Sequence, residues 1–207
     1  REQSIKDGVD IRPIIVNNGN FSKPTAGEPA LISFEEATTL FHEFGHALQG
    51  LLSKCTYERL SGTNVRRDYV ELCSQIMENW ATDPAVLKMY ARHYKTGEAI
   101  PDALIEKINR SRFFNQGFET VEYVAACFLD MDWHTITAAA SIDPLKFEAE
   151  AMARIGLIPE IVSRYRTTYF NHIFSGGYSA GYYSYIWAAV LDSDAFEAFR
   201  ETSLFDP

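Results

Sequence analysis

Leu40-Phe41-His42-Glu43-Phe44-Gly45-His46-Ala47-Leu48 sets two histidines four residues apart, with a glutamate directly after the first. On an α-helix, residues i and i+4 share a face, so both imidazoles can aim a nitrogen at one metal ion, about 2.0–2.1 Å from each. The flanking residues favour helix. Ser33 followed by Glu36 spells a capping box, and Leu40, Phe41, Phe44, Ala47, Leu48 and Leu51 recur at helical spacing, which predicts a helix over residues 34–53. A pattern this short also arises by chance in helices whose histidines are merely packed, so the metal reading needs a third ligand.

Further on comes Asp68-Tyr69-Val70-Glu71-Leu72-Cys73-Ser74-Gln75-Ile76-Met77-Glu78-Asn79-Trp80, read as a second helical segment over about 67–81. Packed antiparallel to the first, it would offer Glu71 as a carboxylate ligand. Two histidines and one glutamate leave a fourth tetrahedral position open, which separates catalytic from structural zinc. Glu43 would then lie beside the metal, placed to take a proton from water. Glu78, two helical turns past Glu71, faces the same way and either hydrogen-bonds a ligand histidine or stays solvated.

Composition fits a globular chain: 207 residues, 46% hydrophobic and 23% charged. The formal net charge of −9, with no cluster of lysine and arginine, argues against nucleic acid as a partner. No apolar run approaches the ~20 residues of a membrane-spanning helix, so no membrane partner is expected. Cys55, Cys73 and Cys127 are odd in number and scattered, which fits reduced thiols and a cytoplasmic setting.

The motifs His42-Glu43-Phe44-Gly45-His46, Leu60-Ser61-Gly62-Thr63-Asn64, Asp68-Tyr69-Val70-Glu71, Ser74-Gln75 and Glu78-Asn79-Trp80 are followed by a tyrosine-rich segment from Asn171 to Tyr185. In that order, they resemble the thimet-oligopeptidase family of zinc metallopeptidases over nearly the whole chain. Residues 60–68, Tyr90-Ala91-Arg92-His93-Tyr94 and Asp130 to His134 are most similar to its bacterial peptidyl-dipeptidase branch. The resemblance implies one Zn2+ ion held by His42, His46 and Glu71, with Glu43 as general base. It also implies short peptides as substrates, with C-terminal dipeptides released. Internal cleavage, or a metal-binding piece without turnover, are the alternatives, as is an unrelated zinc enzyme sharing only the five-residue core. The family is longer at both ends, so residues 1–207 are expected to be part of one catalytic domain, truncated at both ends.

The same resemblance points to Tyr178 and Tyr185 as phenol donors to an oxyanion, and His172 is a candidate donor or substrate contact. Tyr178, Tyr182 and Tyr185 are spaced i, i+4, i+7, which by itself describes a packing stripe as readily as a catalytic one. Arg164 and Arg166 are candidates to grip a substrate's terminal carboxylate. His93 and His134 read as structural. Where many relatives carry histidine and proline, this chain has Gln49 and Cys73.

The expected fold is mainly α, a multi-helix zincin-like unit with a small β-element near the N-terminus. Residues 1–10 read as polar and frayed. Ile11 to Val16, broken by Pro13, reads as an edge strand, and Ala30 to Ser33 as a second short strand. This stretch would either bind peptide backbone or simply cover the core. Helices are expected after Asp83-Pro84 to near 96, from Pro101 to about Phe114, over 118–139, from Asp143-Pro144 to Gly156, briefly from Pro159, over 178–191 and over 193–201.

Overall fold

The Ser33 hydroxyl accepts the Glu36 amide at 3.1 Å, while the Glu36 carboxylate accepts the Ser33 amide at 2.7 Å. This reciprocal cap starts helix α1, Phe34–Leu51, with two acidic residues in its positive first turn. In the computed structural model, which describes residues 1–138 and 141–206, the chain is mainly helical and divides into two compact units. One comprises Arg1–Ile105 with Ile186–Pro207, the other Glu106–Tyr185.

In the first unit, strands β1 (Ser4–Lys6) and β2 (Val9–Ile11) form an antiparallel hairpin. The edge strands expected over 11–16 and 30–33 are not formed, and residues 12–33 carry no regular secondary structure. Asp7-Gly8 explains the shift, since both take positive φ, +51° and +78°, as a two-residue hairpin turn requires. That turn fixes the register so that the ladder ends at Ile11; beyond it Ile14 exchanges backbone hydrogen bonds with Arg1 at 2.9 and 3.2 Å, but no further strand forms there among the described residues. The N-terminus is tied down by buried Gln3, whose amide donates to Asp10 at 3.1 Å and accepts the Cys55 amide at 2.8 Å.

The predicted 67–81 helix is two: α2, Arg67–Val70, and α3, Leu72–Thr82, with Glu71 at the break (φ −85°, ψ −5°). The Ser74 hydroxyl lies 2.9 Å from both the carbonyl and a carboxylate oxygen of Glu71, a local bond that competes with continuous helix. Helix α1 packs along α3, and Gly45 sits at the closest approach. A Cβ there would lie 2.1 Å from the Cys73 carbonyl oxygen and 2.6 Å from Ser74 Cα, so only glycine fits.

Asp83 caps α4, Pro84–Tyr90, through the Ala85 and Val86 amides. The helix stops earlier than expected because Arg92 pairs with Ala99 in a tight turn through Gly97 (φ +74°). Helix α5, Asp102–Ser111, follows. The C-terminal part of α9, Ser184–Glu201, packs on α3, where the Trp80 ring meets Phe196 and Phe199 edge-on at 5.0 and 4.9 Å and donates to the Leu204 carbonyl at 3.0 Å.

The second unit is built on α6, Gln116–His134, and α7, Pro144–Arg154, the latter capped by Asp143. Residue 139, the end of the predicted 118–139 run, lies outside the described residues. Ala126, Leu129, Ala151, Phe170, Ile173 and Tyr182 form the core. No helix starts at Pro159. The chain there runs irregularly to a 3₁₀ turn at Thr167–Tyr169, whose Thr167 amide donates to buried Glu148 at 2.7 Å. After the short α8, Asn171–Phe174, the predicted 178–191 helix begins only at Ser184, so Tyr178 and Tyr182 sit in turns ahead of it.

Gly45→Ala is expected to lower stability by about 1–3 kcal/mol, the cost of overpacking a close contact. Urea unfolding checks this, and an unchanged midpoint would mean that α1 and α3 are not held at this distance.

Candidate metal centre

His42 and His46 project from one face of α1 with ring centroids 5.0 Å apart and planes at 85°. The Nε2 atoms of both lie 3.2 Å from the same oxygen, Oε2 of Glu71. Glu71 reaches them because the break between α2 and α3 turns it beneath α1, where it is only 2% exposed. The three ligand atoms all lie within 4.8 Å of one another, the one such group of three among the described residues. Glu78, two turns along α3, accepts from the other nitrogen of His42, with Nδ1 and Oε1 2.7 Å apart.

This set fits a divalent cation. Imidazole lone pairs and a carboxylate oxygen repel unless a proton or a cation lies between them. Bonds of about 2.0–2.1 Å at tetrahedral angles place ligand atoms about 3.3 Å apart, near the 3.2 Å that both histidines keep from Glu71. Two nitrogens and one oxygen suit zinc among the common ions. Glu78, opposite the Nδ1 of His42, would fix the tautomer that leaves Nε2 for the metal. The Nδ1 of His46 is buried and has no hydrogen-bond partner among the described residues.

Glu43 follows His42 on the helix and is half-buried. Among the described residues no hydrogen bond or ion pair engages its carboxylate, whereas its carbonyl accepts the Asn17 side-chain amide at 2.8 Å. The acidic group is therefore available beside the candidate centre. Ser74, which grips the Glu71 side chain, and Gly45, which admits α3, carry roles that the sequence pattern did not disclose. A serine three residues after a candidate ligand is the only local hint.

The remaining predicted site residues lie in the second unit. His172 is on α8, with its ring 4.8 Å from Tyr165 and 5.5 Å from Tyr182. Tyr178 and Tyr185 do not share a helical stripe as the spacing implied, yet their rings stack at 5.4 Å and 10°. Tyr182 is a core residue, and burial pushes its phenol pKa well up. Arg166 is paired with Glu148, and Arg164 lies 5.9 Å from the Tyr165 ring centroid. His93 accepts the Thr96 amide at 3.2 Å, and His134 lies 2.8 Å from Asp130, as structural histidines do.

Burial alone would discharge His42, but its hydrogen bonds to Glu71 and Glu78 outweigh that and push its pKa up to about 9. Because this exceeds the ordinary 6.5, charged His42 stabilises the metal-free protein fully below pH 6.5 and ceases to as pH climbs through about 9. A cation must displace that proton. Metal affinity should thus rise with pH, about tenfold per unit for one displaced proton, and level off near pH 9. Zinc titration from pH 6 to 10 checks this, and a flat profile would show that no such proton is displaced.

The sequence model of peptidase family M3 matches residues 4–206. The chain is 47% identical over 191 residues to a dipeptidyl carboxypeptidase of Escherichia coli strain K12, covering 91% of this chain and 28% of that protein. It is 36% identical over 202 residues to oligopeptidase A of the same strain, covering 97% of this chain and 30% of that protein. A probable cytosolic oligopeptidase A of Arabidopsis thaliana is 38% identical over 189 residues, covering 90% and 27%. The chain therefore spans less than a third of the length of these curated relatives, and with its match from residue 4 to 206 it belongs to peptidase family M3.

Proposed function

We propose that the chain is part of one zinc-dependent peptidase catalytic domain that releases C-terminal dipeptides from short peptides. The observation that carries this reading is the meeting of His42 Nε2 and His46 Nε2 at one oxygen of Glu71, with the Glu43 carboxylate on the adjoining helix position. The similarity to a dipeptidyl carboxypeptidase supports the dipeptide product. The similarity to oligopeptidase A supports a second reading, cleavage of internal bonds.

In this reading His42, His46 and Glu71 hold one zinc ion, a Lewis acid that makes water a competent nucleophile near neutral pH. Glu43 takes the proton from the attacking water and passes it to the leaving amine, so one carboxylate serves as base and then as acid. Glu78 keeps His42 oriented. Tyr178 and Tyr185 would donate phenolic hydrogens to the oxyanion, with His172 as a further donor. Arg166, paired with Glu148, would have to exchange partners to take a substrate carboxylate, so Arg164 is the readier candidate.

A cytoplasmic setting suits Cys55, Cys73 and Cys127, all of which are free thiols. No helix among the described residues is long and apolar enough to cross a membrane. Short peptides are the proposed partners.

Mass spectrometry of products from one peptide with a free and with an amidated C-terminus separates the readings. Dipeptide loss from the free form alone supports the proposal, whereas equal internal cleavage of both supports the oligopeptidase reading. Glu43→Gln should lower kcat by about 10²–10⁴-fold, the usual worth of a general base, while leaving zinc content intact. Peptide hydrolysis that survives both a chelator and Glu43→Gln would overturn the assignment.

A further inference from the structure

The tyrosine turn between α8 and α9 is held by a group that the proposed chemistry does not use. Asp130, on α6, is 1% exposed and is surrounded by nitrogen donors. Its Oδ1 accepts the Ala180 amide at 2.9 Å, and its Oδ2 accepts the Tyr182 amide at 2.9 Å. His134, one helical turn along, sets Nδ1 2.8 Å from the same Oδ1 and 2.9 Å from the Asp130 carbonyl oxygen.

Two amides from alternate residues converge on one side chain only if the backbone between them curls sharply. Ala180 accordingly adopts φ +50°, the left-handed region that an alanine resists because its Cβ crowds the following carbonyl. Backbone bonds from Gly181 to Tyr178 (2.8 Å) and from Ser184 to Gly181 (3.0 Å) close the turn locally but involve neither Asp130-bound amide. The carboxylate therefore offsets the strain. On the far side, the Tyr182 carbonyl accepts the Tyr123 hydroxyl at 2.6 Å, so residue 182 is pinned at both its amide and its carbonyl.

The pinned stretch lies between Tyr178 and Tyr185, whose rings stack nearly parallel with centroids 5.4 Å apart. Two rings separated in sequence by a strained turn keep that pairing only while the turn keeps its shape. Asp130 grips the peptide units between them.

We propose that Asp130, oriented by His134, is a positioning residue for the peptidase reaction: its carboxylate fixes the turn at Ala180 and Tyr182 and so presents the Tyr178–Tyr185 pair. This rests on the reading of those tyrosines as oxyanion donors. A mere strut for the fold would lower stability without separating kcat from KM.

Asp130→Asn keeps the side-chain shape but replaces one accepting oxygen with an NH2 group that must face an N–H. Hydrogen exchange followed by mass spectrometry should show amides of residues 178–183 exchanging at least about tenfold faster, with α7 unchanged. In peptide cleavage, kcat should fall at least about tenfold with KM within about threefold, the pattern of an interaction made in the transition state. Adding Ala180→Gly, which removes the left-handed penalty, should recover at least about threefold of the lost kcat.

Unchanged exchange in Asp130→Asn overturns the proposal. So does faster exchange with unchanged kcat, or a loss of kcat matched by a loss throughout α7. Should Asp130→Asn not fold, His134→Gln is read instead: it spares both backbone bonds and should give a smaller loss of the same kind, while no change in exchange or kcat overturns the idea. Peptide cleavage that persists in Glu43→Gln sinks the peptidase reading separately, because the exchange arm judges Asp130's grip without reference to activity.

Discussion

Helices α1 and α3 approach backbone to backbone at Gly45, and the candidate metal centre depends on that contact. His42 and His46 stand three residues before and one residue after this glycine, so the point of closest approach falls between the two ligands on α1. Glu71 lies just ahead of α3, two and three residues before the Cys73 and Ser74 atoms that meet Gly45. A short lever links the contact to the carboxylate. Any side chain at position 45 would push α3 outward and draw Glu71 away from both rings together, because both share its single oxygen Oε2. Packing and ligand geometry are thus one constraint, met by a residue that does no chemistry.

Buried carboxylates carry the second layer of organisation. Glu71, Asp130 and Glu148 are each almost fully enclosed, and each faces donors that offset the cost of removing it from water. Glu71 meets two imidazoles and the Ser74 hydroxyl. Asp130 takes two amides of the tyrosine turn, and Glu148 takes the Thr167 amide with the Arg166 guanidinium. In the last two cases a regular helix supplies the acid and an irregular segment supplies the amides. Stretches without their own ladder of hydrogen bonds are thereby held on rigid supports, which a turn containing left-handed Ala180 requires.

The signals that could be read in advance were local ones. Ser33 with Glu36, Asp83 before Pro84 and Asp143 before Pro144 each start a helix with bonds spanning two or three residues, so a short window of sequence contains the whole interaction. The mainly helical class and the start of the histidine helix follow from such windows. Other elements are set by distant partners. The helical pattern through residues 67–81 gives no sign of a break beyond Ser74, and the histidines that Glu71 meets once the break turns it lie on another helix. Tyr178 to Tyr183 read as helix by spacing, yet Asp130, some fifty residues earlier in the chain, takes two of the amides that a helix would have used. The hairpin at Ser4–Ile11 is hidden for a different reason: each strand is only three residues long, and only Asp7-Gly8 marks it.

The two candidate ligand histidines are not equivalent, and their difference bears on how the centre assembles. Glu78 lies against His42 and holds its ring in one orientation, whereas His46 has a buried Nδ1 without a hydrogen-bond partner among the described residues. An imidazole backed by a carboxylate is the more basic ligand and the better oriented one, since the second carboxylate favours positive charge on the ring and on whatever it binds. Together with Glu71, the same backing tightens the hold of His42 on a proton in the metal-free protein, with a pKa pushed up to about 9. Basicity toward a metal and basicity toward a proton rise together. The stronger ligand is therefore also the one that a cation must win from a competitor. A cation entering a centre built this way would displace the proton at His42, with His46 and the shared oxygen of Glu71 as the other groups to hold it.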